Sequence, residues 1–212
     1  MQTHRLIEAL VADLQPLRQR LPGQILMRLG WAALAAALAF YGLYGFRDDG
    51  LASLGDPRFV VKISLLLTLV GALWPLMRRA AGPIKMTPTD FKPLAWVGLF
   101  WLTMMGLEVA LVPQTAWYPM MVGENGLFCL AAIPLIGMPL LATIIVTLRG
   151  AAPAVASVSG AVAGFFSAAI ASVLYAVHCP DDSPFFLVVW YGAATMILMA
   201  MGALSGRWVL RW

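Results

Sequence analysis

The apolar positions of the chain fall into six long windows, separated by short clusters of charge, proline and glycine: Ile25 to Phe46, Phe59 to Met77, Leu94 to Val112, Leu127 to Leu148, Ala154 to Val177 and Phe185 to Leu204. Each is close to the ~20 residues that a helix needs to cross the hydrocarbon core of a bilayer. With no water there to satisfy backbone amides, a segment of that length closes its own hydrogen bonds as a helix. The pattern therefore predicts an all-α membrane protein. Its core is a six-transmembrane-helix bundle at 25–206, with an N-terminal segment at 1–24 and a short tail at 207–212. The first window follows a long polar stretch and exceeds the roughly 7 to 15 apolar residues of a signal peptide, so it is expected to remain as an anchor.

Composition sharpens this picture by exclusion. Of 212 residues 61% are hydrophobic and 11% charged, less than half the ~25% charge of a soluble domain. No sizeable soluble catalytic domain fits on either side of the bilayer. The cations are also unevenly distributed. Arg5, Arg18, Arg20, Arg28, Arg78, Arg79, Lys85, Lys92, Arg149, Arg207 and Arg211 all fall on one side of the six-span topology, while Arg47 and Arg58 fall opposite and Lys62 lies within a span. The positive-inside rule then makes both termini cytoplasmic and the location the bacterial inner membrane, as a multi-pass protein. The net charge of +4 is accounted for by inner-face cations against anionic lipid, without direct nucleic-acid binding.

The N-terminal segment is the one cytoplasmic stretch with the look of a recognition element. From Thr3, a residue type that caps helices, Leu6, Leu10 and Leu14 recur every four positions beside Ile7 and Leu17, while Arg5, Glu8, Asp13 and Arg18 take other positions. This predicts an amphipathic helix ended by Pro16 or by Pro22-Gly23. A helix so short is marginal alone in water, so its stripe should seek either the lipid interface or a groove on a protein.

Topology gives the two cysteines a relation that the linear sequence hides. Cys129 opens the fourth span and Cys179 follows the fifth, so both face the non-cytoplasmic side at similar depth. Three readings stay open: a structural disulfide, a redox- or metal-responsive pair in which His178 helps to hold a heavy-metal ion, and two unrelated thiols. No other cofactor is implied. Lys62 and Glu108 are ionisable residues inside the second and third spans, and antiparallel helices would set them side by side. The expected intramembrane ion pair is either a latch on helix register or a relay.

Two further spans carry packing signals. In the fifth, Gly160, Gly164, Ala168 and Ser172 recur every four positions, a face that lets another helix approach closely. In the fourth, Pro134, Gly137 and Pro139 predict a bend that would serve either as a hinge or simply as a fit to the bundle. Several chemistries are absent: no histidine within a span for haem, no Cys-x-x-Cys pair, no phosphate-cradling loop and no metalloprotease helix motif. An enzyme is not expected.

The second half of the chain resembles the NrsF family of six-span membrane proteins, negative regulators of an extracytoplasmic-function sigma factor. The likeness rests on Cys129 with Pro134, Leu148-Arg149 leading to Ala152-Pro153, Gly160 and Gly164, Tyr175 with His178-Cys179, Phe185 or Phe186, Trp190-Tyr191 and Leu210-Arg211-Trp212. Leu6-Ile7, Leu10, Asp13 and Lys62 extend it into the first half. The resemblance implies an anti-sigma factor, not an enzyme, whose N-terminal segment holds a sigma factor at the membrane and whose two cysteines serve stress sensing or release. Two other classes compete with it. A small transporter would use Lys62 and Glu108, and a quinone-linked thiol oxidoreductase would use the cysteines.

Overall fold

The structure is a computed structural model that describes residues 17–47, 50–151 and 153–210. Among the described residues seven helices follow one another: α1 Leu17–Tyr44, α2 Pro57–Ala80, α3 Lys92–Leu111, α4 Gln114–Val122, α5 Gly126–Leu148, α6 Ala156–Ala176 and α7 Pro184–Val209. No strand occurs among the described residues. All six apolar windows are helices long and apolar enough to cross a membrane, which makes this a membrane protein.

Three boundaries differ from the sequence reading. The helix that enters the first span is already formed at Leu17 and runs on through Pro22 and Gly23. A proline removes a single backbone donor, and the long apolar run beyond it carries the helix forward. The 24/25 division therefore falls inside a helix. At the other end α7 continues to Val209, so the tail at 207–212 begins within it. Between α3 and α5 the short helix α4 was not foreseen: nine residues interrupted by Pro119 carry little periodic signal. Trp117 ties it back to α3 by donating its indole N–H to the Val112 carbonyl at 3.0 Å.

The tightest contact is between α6 and α7. A Cβ on Gly160 would stand 2.0 Å from the Gly202 carbonyl oxygen, one on Gly164 2.1 Å from that of Leu198, and one on Gly206 2.4 Å from that of Ala156. The two backbones touch directly, and the expected stripe on α6 meets a matching Gly202–Gly206 pair on α7. Since lipid tails are as apolar as leucine, such close van der Waals packing is what holds helices together in a bilayer. Ala168 and Ser172 continue the buried face of α6.

Around this pair stand α2, α5 and α1. Ser159 of α6 donates to the Ala80 carbonyl of α2 at 2.7 Å. α5 stays one helix through Pro134 and Pro139. Gly137 makes room for α7, since a Cβ there would meet Leu198 Cδ1 at 2.5 Å. α3 is peripheral, and Glu108 is its one buried residue.

Candidate functional site

The polar chemistry of the bundle gathers at the end where α1 finishes and α2 and α7 begin. Asp56 caps α2 by accepting from the Arg58 amide at 2.9 Å, with Pro57 at the first helical position. This start sets Arg58 and Lys62 four residues apart on one helix face. The segment 177–183 joins α6 to α7 and ends at Ser183, whose hydroxyl accepts from the Phe185 amide at 3.2 Å. It carries His178, Cys179, Asp181 and Asp182 into the bundle.

Lys62 and Glu108 are not partners. Lys62 turns instead toward the 177–183 segment, where its ammonium lies 2.5 Å from Asp182 Oδ1 and donates to the carbonyls of Cys179 at 2.9 Å and Asp181 at 3.3 Å. Its side chain is 0% exposed. Glu108 pairs with Arg58 at 3.0 Å, one turn nearer the end of α2. The sequence reading considered only helices consecutive in the chain, whereas the 177–183 segment folds in and supplies a closer carboxylate. Arg47 completes the group, with Nη1 at 3.1 Å from Asp182 Oδ2 and its guanidinium 4.8 Å from the centre of the Phe59 ring. Opposite charges at this depth stabilise one another only when paired and hydrogen-bonded, and Arg47 with Asp182 meets both conditions.

Asp181 does a different job. Its carboxylate accepts from the Asn125 backbone and side-chain amides, both at 3.1 Å, and so fastens the 177–183 segment to the start of α5. That is where Cys129 sits. Cys129 and Cys179 are both fully buried and both free thiols. The Cys179 thiol stands 3.9 Å from Asp181 Oδ2. Burial pushes the Cys179 thiol up from its ordinary pKa, and the Lys62 ammonium pulls against that rise. Tyr175 and Tyr191 are also buried, with ring centres 5.8 Å apart, and both hydroxyls lack a hydrogen-bond partner. A π-helical turn at Leu187–Tyr191 directs Tyr191 inward, the kind of local widening that recurs at functional sites. The same turn sends Trp190 over Gly126, where its indole N–H reaches the Met121 and Val122 carbonyls at 3.1 and 3.0 Å.

His178 does not join the thiols. Its Nδ1 meets the Gly45 carbonyl at 3.0 Å, and its ring stands edge-on to Phe40 at 5.3 Å between centres. Among the described residues no three His, Cys, Asp or Glu side chains are arranged to hold a metal ion. The heavy-metal arrangement of Cys129, Cys179 and His178 is therefore not the geometry of this structure, because the imidazole is committed to α1. Leu6, Ile7, Leu10, Asp13 and Leu14 lie outside the described residues.

The sequence reading missed Arg47, Asp181, Asp182, Asn125 and Tyr41. A signal was present for the acids, since the chain has only 10 Asp and Glu and two of them follow Cys179-Pro180 directly. Tyr41 donates its hydroxyl to the Leu174 carbonyl at 2.5 Å, a contact between distant segments that carries no local pattern.

Fold and site together define a polytopic helical protein whose thiols and Lys62–Asp182 pair are buried at one end of its bundle. The chain belongs to the NrsF family, described as negative regulator of sigma F, whose model matches residues 10–212. It is 32% identical over the full length of both chains to the anti-sigma-F factor NrsF of Caulobacter vibrioides (strain NA1000 / CB15N). With the probable anti-sigma-F factor NrsF of Azospira oryzae (strain ATCC BAA-33 / DSM 13638 / PS) it shares 30% identity, over 88% of this chain and 87% of that one. No solved structure matches.

Proposed function

We propose that this protein is a membrane-bound anti-sigma factor of the bacterial inner membrane. Its cytoplasmic N-terminal segment, through Leu6, Ile7, Leu10, Asp13 and Leu14, sequesters an extracytoplasmic-function sigma factor. A stress acting at Cys129 and Cys179 on the opposite side releases it. Family membership supports the sigma factor as client. One structural observation supports the coupling: the segment that carries Cys179 is bonded to the end of α1, the helix that leads back to the N-terminal segment. His178 meets Gly45 and Arg47 meets Asp182, while Tyr41 reaches Leu174 in the last turn of α6.

A change at the thiols moves α1 only if the two arrangements of the bundle differ in their preference for that change. Bonding Cys129 to Cys179, or capping either with a bulky adduct, meets this condition. Both thiols are wholly enclosed, so any adduct displaces neighbours that touch α1. Two variants test the proposal. Deletion of residues 2–20 should release the sigma factor from the membrane fraction, whereas retention of full binding would move the docking site elsewhere. Conversion of both cysteines to serine should leave insertion intact and abolish the stress response. An unchanged response would remove their sensing role.

A further inference from the structure

A partly open cavity of about 260 Å³ lies between α2, α3 and the start of α7. Its polar rim is formed by Arg58, Lys62, Glu108 and Asp182, and its apolar wall runs through Leu65, Trp101 and Met104. Of these charges, Lys62 is satisfied: it donates to the Cys179 and Asp181 carbonyls, and its ammonium lies 2.5 Å from the Asp182 carboxylate. Asp182 is satisfied too, by Lys62 and Arg47.

Glu108 is different. Its Oε1 lies 3.0 Å from the Arg58 guanidinium but without the alignment of a hydrogen bond, and it is a buried acceptor with no donor. An acceptor left so in a low-dielectric site is costly. The Arg58 side chain is 49% exposed and keeps donors free to turn toward a second oxygen.

We propose that this cavity binds a membrane-soluble hydroxy-aromatic molecule of the quinol type. One hydroxyl donates to Glu108 Oε1, a second oxygen accepts from Arg58, and the ring lies among Leu65, Trp101 and Met104. The volume exceeds the ~150 Å³ that admits a benzene ring, leaving room for ring substituents and the first carbons of a chain. A phosphate headgroup would set its charge against Glu108. An amine would set its own against Arg58, and a bare acyl chain would leave Oε1 without a donor. The inference stands apart from the sigma-factor reading, because its test measures binding and not transcription.

The test uses the full-length protein in phosphatidylcholine nanodiscs, titrated anaerobically with decylubiquinol and read by tryptophan fluorescence. A saturable change is expected that disappears in Trp101→Phe. The oxidised form, decylubiquinone, nearly equal in shape but without a hydroxyl donor, should bind at least about tenfold more weakly, since a hydrogen bond to a charged group is lost. Met104→Trp, which fills the apolar wall without touching the ion pairs, should abolish saturation while thermal stability is retained. Absence of a saturable change, equal binding of the quinone, binding that survives Met104→Trp, or displacement of the quinol by phosphatidylglycerol would each overturn the proposal.

Discussion

Lys62→Met is the most informative single change at the thiol end. It removes an ammonium that no water reaches and that holds Cys179, Asp181 and Asp182 together. Methionine fills a similar volume, so the loss is electrostatic and not a cavity. Removing one member of a buried ion pair costs about 3–5 kcal/mol, and the lower end applies here because Arg47 still faces Asp182 at 3.1 Å. At roughly 2–4 °C per kcal/mol for a chain of this size, the midpoint for loss of the folded protein should fall by about 6–12 °C. Asp182→Asn strands Lys62 among carbonyls and should cost a similar amount. The double variant should lose little more than either single one, with a coupling of about 3 kcal/mol. The assay is the fraction of detergent-solubilised protein that survives a heat step and elutes as a single species on size exclusion. A shift below about 2 °C for Lys62→Met, or losses that simply add in the double variant, would refute the reasoning.

The other expectations are narrower. Gly202→Val places branched carbon where even a Cβ would stand 2.1 Å from the Gly160 carbonyl oxygen. It should prevent accumulation of folded protein, whereas Gly98→Ala, with open space around it, should be neutral within about 0.5 kcal/mol; western blots of membrane fractions separate the two. Tyr41→Phe removes one hydrogen bond to Leu174 and should cost about 1 kcal/mol, measured by the same heat step, while weakening transmission of a thiol adduct to the N-terminal segment. Because burial pushes the Cys179 thiol up, it stays protonated at neutral pH. Alkylation in a Cys129→Ser background should therefore be slow at pH 7 and rise only above the ordinary thiol range near ~8.5. A rate profile centred at or below that value would contradict the burial argument.

Much of the architecture was legible because bilayer physics leaves few choices. Six long apolar runs can only be helices there, and the helix ends fall within a few residues of the runs. The α6 stripe was legible for the same reason, since small residues every four positions have one main use in lipid. Its partner on α7 was not singled out: two glycines, Gly202 and Gly206, make no stripe on their own. At the site, the gathering of Cys129, Cys179 and Lys62 at one end of the bundle followed from topology alone. Their partners did not. The pairing of Lys62 with Asp182 and of Arg58 with Glu108 depends on how the 177–183 segment folds back, and no periodicity encodes that. His178 was misplaced for a related reason, because adjacency to Cys179 in sequence says nothing of where the ring turns once Gly45 offers a carbonyl.

These contacts also favour a particular route for a signal. The prolines of α5 drew attention as a hinge, yet α5 remains a single helix anchored at Gly137 against α7. α1 is anchored otherwise: its far end is bonded to the Cys179 segment, and its described helix already exists at Leu17, before the span. A continuous helix transmits rotation as well as translation, whereas a flexible tether transmits neither. Inserting one alanine between Gln24 and Ile25 turns everything before it by about 100° and advances it by ~1.5 Å, while inserting seven restores the original face to within ~20°. If α1 acts as a rigid rod, the single insertion should uncouple sigma-factor release from the thiols and the seven-residue insertion should restore it. Equal responses from both insertions, read with a sigma-dependent reporter, would mean that the N-terminal segment is merely tethered and that the signal takes another path.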